Sequence, residues 1–288
     1  MHGALLILLQ RRNIKAYWSQ YANLMQLHLF QTDIRWEKPD ENKDWLVTKI
    51  GELKPNAGDM LILPEMYATG FSMNVDKTVE AKHHGKHNIE FLHYLAKSTG
   101  CCVVGGVATQ SGTSYHNEAI ATFPDGKDQR YQKYQLFTVG GESKVFTAGE
   151  DLLNFEWRQW CVGLSICYDL RFPEIYRSLA LNGAELIVNI ANWPRRRINH
   201  WVQLLAARAI ENQCYVAGVN RVGEDPDNHY TGRSIVVDPH GKIIADAGSE
   251  PVIISVTVDL NTVKSWRSEF PALRDTRHQT TLRVRKQS

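Results

Sequence analysis

From Met25 onward, short strand-like runs alternate with helix-like ones, and that alternation restricts the fold more than any other feature of the chain. Residues 25–31 (MQLHLFQ) alternate apolar and polar with period two. Residues 59–63 (DMLIL), 101–107 (CCVVGGV), 118–123 (EAIATF), 161–166, 185–190 (ELIVNI), 215–219 and 252–258 (VIISVTV) are rich in apolar and β-branched residues, as strands are. Between them, residues 43–53, 89–98, 173–181 and 200–212 carry apolar residues at helical spacing. In the third of these, Pro173 suits the first helical position and Asn182-Gly183 the C-terminal stop. The connections through Ser111-Gly112-Thr113 and through Asp238-Pro239-His240-Gly241 have hairpin length and turn composition. The sheets are therefore expected to be mixed, with helices outside them, in one α/β domain over residues 25–275. No internal repeat, low-complexity tract or Gly/Ser linker divides it.

A chain of 288 residues buries a sizeable core without staples. Its net charge of +2 gives no electrostatic case for nucleic acid or an anionic membrane as the main partner. The five cysteines, at 101, 102, 161, 167 and 214, are odd in number and lack CxxC spacing. That argues against a disulfide framework or a zinc site and for a reducing, cytoplasmic compartment. The run Ala4-Leu5-Leu6-Ile7-Leu8-Leu9 lacks the flanks of a signal peptide and is too short to span a bilayer. Residues 1–24 are expected to be a poorly ordered extension, added by a start upstream of Met25, and residues 276–288 a C-terminal tail. The cluster His83, His84 and His87, beside lysines and a glycine, reads as a solvated loop rather than a metal site.

Three stretches carry candidate chemistry. In VGLSICYDLRFPE an apolar run ends at Cys167, a turn follows, and a helix opens near Pro173. A thiol on such a turn is rigidly presented, and the helix N-terminus is expected to lower its pKa. Free cysteines are also common core residues, and from this stretch alone the two readings are evenly balanced. In LPEMY, Glu65 ends an apolar strand beside Tyr67 and Phe71, where desolvation suits a general base; a solvated loop glutamate is the commoner outcome. In RYQKYQLF, Lys133 sits among aromatics, either to stabilise an oxyanion or as a surface lysine covering apolar area.

Together and in this order, LPE at 63–65, YxK at 131–133 and CYDLRFPE at 167–174 resemble the nitrilase superfamily of carbon–nitrogen hydrolases. The resemblance runs from Met25 to about residue 275. It implies a four-layer α-β-β-α sandwich with Glu65 as general base, Lys133 as oxyanion-binding lysine and Cys167 as nucleophile. It also implies that Glu142, in GGES, is a second glutamate positioning the lysine, and that the Tyr168 N–H is the other oxyanion donor. Neither a metal nor an organic cofactor is implied.

The sequence after Cys167 narrows the branch. True nitrilases resemble CWE at this point and carbamoylases CND. Here CYDLRFPE, the NWP at 192–194 and AGVNRVG at 217–223 are similar to ω-amidases acting on 2-oxoglutaramate. That implies a small-molecule substrate with a terminal amide and an α-keto carboxylate. Arg195, Arg196 and Arg197 are candidate partners for the carboxylate, although a solvated basic turn is an equal reading. Arg171 and Glu174 are expected to brace the nucleophile turn. Tyr67, Phe71, Tyr134, Phe137 and Trp193 are candidates to shape the pocket. The family commonly pairs, so a homodimer is expected, with the pattern-poor tail beyond Asp259 packing across the partner. The rival readings are another amide hydrolase of this fold, acting on deaminated glutathione or aliphatic amides, an idle binding module, or a redox-sensing thiol.

Overall fold

Two twisted sheets face each other across one apolar core in the computed structural model, which describes residues 23–79, 85–277 and 282–287. The first sheet holds β1 (Leu24–Gln31), β2 (Met60–Ile62), β3 (Cys102–Ser111), β4 (Ser114–Thr122), β5 (Asp128–Gln132) and, late in the chain, Val252–Asp259, which is β14. The second holds β6 (Leu152–Trp157), β7 (Trp160–Ile166), β8 (Leu186–Ala191) and β9 (Tyr215–Asn220), then β12 (Ile235–Val237), β13 (Ile243–Asp246) and β15 (Val284–Gln287). A small hairpin, β10 (Val222–Glu224) with β11 (His229–Thr231), stands apart from both.

Their spatial orders are β14-β1-β2-β3-β4-β5 and β13-β12-β9-β8-β7-β6-β15. Strands β1, β2 and β3 run parallel, as do β7, β8 and β9, while antiparallel strands flank each trio. The turns at Gly112 between β3 and β4 and at Gly241 between β12 and β13 contribute to this mixed character, as do the short connections β4–β5 and β6–β7.

Period-two alternation sorts each strand's side chains between layers. Met60 and Ile62 point into the core between the sheets, with Leu27, Leu29, Val162, Leu164 and Val188. Leu61 and Leu63 point the other way, onto α1 (Pro39–Leu53) and α2 (Lys86–Thr99), where Leu46, Ile50, Leu92 and Leu95 meet them. On the far side α3 (Pro173–Leu181) and α4 (Ile198–Asn212) bury Ile175, Leu179, Trp201 and Leu205 against the second sheet. Each fully buried Leu or Ile contributes about 1.5–3 kcal/mol to this packing. The result is the four-layer α-β-β-α sandwich. Helix α3 begins with Pro173 and stops at Asn182, with Gly183 in the left-handed region at φ +106°.

All eight strand-like runs and all four helical ones correspond to elements of the fold. Several elements have no counterpart among them. Strands β5, β6 and β12 are short or interrupted by polar residues, and α5 (Leu260–Glu269) buries only Leu260 and Val263, too narrow a stripe to stand out in the sequence. The stretch read as a C-terminal tail supplies β15, which runs parallel to β6 of the same chain. Residues 1–22, with the apolar run at 4–9, and His83 and His84 lie outside the described residues. No helix among the described residues is long and apolar enough to cross a membrane. All five cysteines are free thiols.

Candidate active site

Strand β7, paired on both sides within the second sheet, delivers Cys167 just past its C-terminal end. The residue sits at φ +44°, a conformation that costs a non-glycine residue of order 1–3 kcal/mol and persists only where the surroundings enforce it. Asp169, buried two residues on, does the enforcing. Its carboxylate accepts from the backbone N–H of Ile166 (2.8 Å), from the N–H of Gln135 (2.8 Å) and from the Tyr131 hydroxyl (2.7 Å). The turn Cys167–Arg171 is thereby tied to β5 of the opposite sheet, and α3 follows it.

Glu65 and Lys133 reach the same spot from the other sheet, just past the ends of β2 and β5. Lys133 Nζ donates to Glu65 Oε1 at 2.8 Å and lies 3.0 Å from Glu142 Oε2, with none of the three side chains exposed. Asn117, on β4, donates to Glu65 Oε1 (2.8 Å) and to Glu142 Oε1 (2.9 Å). The Phe137 N–H donates to Glu142 Oε2 at 2.6 Å. Asn192, which follows β8, gives its N–H to Glu65 Oε2 (2.9 Å) and its side-chain amide to the Glu65 carbonyl (2.7 Å). The Asn192 carbonyl in turn lies 3.8 Å from Cys167 Sγ. One cation and two carboxylates thus share a dry pocket beside the thiol, with most of their hydrogen-bonding capacity filled by fixed partners.

The electrostatics depart from the sequence reading at the thiol. Burial, reinforced by Glu65, pushes the Cys167 pKa well above the ordinary cysteine value, and Lys133 opposes this without reversing it. The expected lowering by the start of α3 is outweighed, because desolvation and a neighbouring carboxylate both disfavour the thiolate. Burial alone would pull Lys133 down, but Glu142 and Glu65 more than offset it and hold the ammonium charged. Burial pushes Asp169 up to about 6 despite its three donors.

Cys167 opens onto a cavity of about 420 Å³. Phe71, Phe137 and Trp193 line it, together with Tyr168 and Arg196. Other expectations need correction. Tyr67 is buried in the outer core, where its hydroxyl donates to the Asn88 carbonyl and its ring stacks on Phe91. Tyr134 packs against the main core instead of the cavity. Arg195 opens the turn Arg195–Arg197 and lies in a shallow surface groove with Asp227 and His229. Arg171 does not merely brace the turn: its guanidinium lies 4.8 Å from the Trp193 ring and lines the cavity with Arg197. Glu174, in the first turn of α3, is exposed.

The far wall, from Trp36, Asp225, Asp227, Asn228 and Tyr230, carried no sequence signal, nor did the bracing roles of Asn117 and Asp169. Among the described residues no three His, Cys, Asp or Glu side chains are grouped to hold a metal ion. The arrangement can deliver a nucleophilic sulfur, a carboxylate to move its proton, and a fixed ammonium to meet a developing oxyanion.

The carbon-nitrogen hydrolase family model matches residues 26–268. Omega-amidase YafV of Yersinia enterocolitica is 36% identical over 257 residues, covering 88% of this chain and 96% of that protein. The 2-oxoglutaramate amidase of Bacillus subtilis (strain 168) is 34% identical over 253 residues, covering 86% and 95%. Among solved structures, XC1258 of Xanthomonas campestris, a CN-hydrolase superfamily protein with an arsenic adduct in its active site, superposes with a TM-score of 0.82 at 32% identity, covering 88% of this chain and 98% of that one.

Proposed function

The chain belongs to the carbon–nitrogen hydrolase family, and from that premise we propose that it is an ω-amidase, hydrolysing the terminal amide of 2-oxoglutaramate or 2-oxosuccinamate. The observation that carries this reading is the buried Glu65–Lys133–Glu142 cluster beside Cys167, which itself lines a cavity that presents three arginines. Because the resting thiol is protonated, Glu65 takes its proton as the sulfur attacks the amide carbon. The carbonyl electron pair moves onto oxygen. Lys133 has three N–H donors and spends two on Glu65 and Glu142, leaving one for that oxyanion. The Tyr168 N–H, in the first turn after Cys167 where intrahelical acceptors are lacking, supplies the second bond. Collapse of the intermediate breaks the carbon–nitrogen bond, and Glu65 returns its proton to the departing ammonia. Glu65 then deprotonates water, which attacks the thioester. The acid leaves and sulfur regains a proton.

The substrate's α-keto carboxylate is placed at Arg171 and Arg197. Neither makes an ion pair among the described residues, and both line the cavity with Arg196. Burial, with the neighbouring charges of Arg196 and Arg171, disfavours the Arg197 cation, a situation that a bound anion relieves. Ammonia release across 2-oxoglutaramate, 2-oxosuccinamate, deaminated glutathione, simple aliphatic amides and nitriles tests the reading. Preference for the two oxo-amides supports it, and equal turnover of all the amides removes it.

Homodimer formation and a cytoplasmic location complete the reading. The half-exposed Ile210 and Phe270 are apolar surface suited to pairing, and five unpaired thiols suit a reducing compartment. Light scattering at the monomer mass would remove the dimer.

A further inference from the structure

We propose that Arg221 is a positioning residue for substrate binding: buried and itself outside the cavity, it holds in register the three chain segments that form the cavity's Trp36–Phe71–Tyr230 wall. This inference rests on the amidase reading of the cavity. Arg221 is fully buried, just past the end of β9, and does not line the cavity. Its Nε donates to the Val222 carbonyl (2.9 Å), while Nη2 donates to the Ile34 carbonyl (2.7 Å) and the Glu224 carbonyl (3.0 Å). The guanidinium carbon stands 4.6 Å over the Tyr230 ring. Gly70 closes the third side, where a Cβ would fall 3.5 Å from Nη1 and 3.1 Å from the Trp36 ring.

Each of these segments, two hydrogen-bonded to the guanidinium and the Gly70 segment packed against it, carries wall residues. Ile34 leads to Trp36, Gly70 to Phe71, and the β10–β11 hairpin holds Asp225, Asp227 and Tyr230. The hairpin also leans on the end of β1, since the Val222 N–H donates to the Thr32 carbonyl. Gly223, at φ +84°, lets Asp33 sit against it, where a Cβ would lie 1.9 Å from Asp33 Oδ1.

A wholly buried cation is a poor choice if packing were the only need. Its one ion pair, to Asp33, is 3.7 Å long and the aspartate is largely exposed, while Nη1 has no hydrogen-bond partner among the described residues. Replacing such a charge by an apolar side chain is often neutral or stabilising. A planar fork of donors, by contrast, bonds several diverging carbonyls in one fixed geometry, which an apolar residue cannot do and the flexible point charge of a lysine does not reproduce. The Cys167 cluster depends instead on Asn117, Asn192 and Asp169, none of which bonds to the Arg221 guanidinium. Loss of the fork therefore loosens the wall and spares the chemistry.

Steady-state kinetics on 2-oxoglutaramate with Arg221→Met and Arg221→Lys provide the test, alongside alkylation of Cys167 by iodoacetamide and by the bulkier N-phenylmaleimide, read by peptide mass mapping. In Arg221→Met, KM is expected to rise about tenfold or more with kcat within about threefold, and the lysine variant to fall between it and wild type. The preference of Cys167 for the smaller reagent is expected to shrink as the wall loosens. Unchanged KM and unchanged reagent preference overturn the proposal, as does a tenfold loss of kcat at constant KM. If the methionine variant does not fold, the same split in the lysine variant decides. If wild-type protein does not turn over 2-oxoglutaramate, the amidase reading fails alone, and the alkylation ratio still decides the role of Arg221.

Discussion

Lys133 Nζ lies 2.8 Å from Glu65 Oε1, and neither side chain is reached by solvent. Among the described residues the lysine is the only cation bonded to the two buried carboxylates, Glu65 and Glu142. Lys133→Met is therefore expected to cost about 3–5 kcal/mol of stability, because it leaves those carboxylates buried without a counter-ion. Loss of an oxyanion donor adds a fall in kcat of about 10²–10³-fold. Denaturant unfolding and single-substrate kinetics on the same preparation check both.

Asn117 holds the carboxylates from the other side, and among the described residues its amide is the only side-chain group other than Lys133 to bond both. Asn117→Ala is expected to lower stability by about 1–3 kcal/mol and to lower kcat more than it raises KM. The comparison of kcat with KM separates a misplaced base from a damaged binding wall.

The contrast between these two residues shows what the sequence carries. Glu65 and Cys167 each end a run of apolar residues, Lys133 sits among aromatics, and a chemically loaded side chain in such a place stands out. Asn117 lies within HNEAIAT and resembles any polar residue at the flank of a strand. Its role comes from a contact 52 residues away in sequence to Glu65 and 25 to Glu142, which local pattern does not encode. Asp169 is similar: it sits inside a recognisable motif, but its partners are Tyr131 on β5 of the other sheet and Gln135 in the loop that follows it. The aromatic candidates divided for the same reason. Phe71 and Trp193 face the cavity while Tyr67 faces the outer core, and between Tyr67 and Phe71 the chain turns, with Met66 at φ +45° and Gly70 at φ +74°.

Asp169 gives the site a pH dependence. Burial raises its folded-state pKa from 3.8 to about 6, so the folded protein binds a proton that the unfolded chain has released across that interval. The resulting contribution to stability is fully present below pH 3.8 and is lost as pH rises through about 6. Activity should run the other way. A protonated Asp169 puts a hydrogen where the Tyr131 hydroxyl, or a backbone N–H, donates, and this loosens the Cys167 turn. The expected result is a kcat that falls as pH drops through about 6 in wild type, and an Asp169→Asn variant that is slow at every pH and lacks this step. A pH–kcat profile of both proteins reads the difference.

Arg197 and Arg171 separate substrates by charge. Arg197→Ala is expected to raise KM for 2-oxoglutaramate by about 10–100-fold, the worth of one charge-assisted hydrogen bond. Turnover of an uncharged aliphatic amide should change by less than about threefold. Arg195→Ala, on the surface groove, serves as the control and should leave both substrates unaffected.

Ammonia release from 2-oxoglutaramate, measured side by side for wild type and Cys167→Ala at equal folded concentration, tests the thioester mechanism most directly. The expected result is steady release by wild type and none above background by the variant, whose circular dichroism and unfolding midpoint stay close to wild type. Normal release by a folded Cys167→Ala protein would contradict the assignment of Cys167 as the nucleophile.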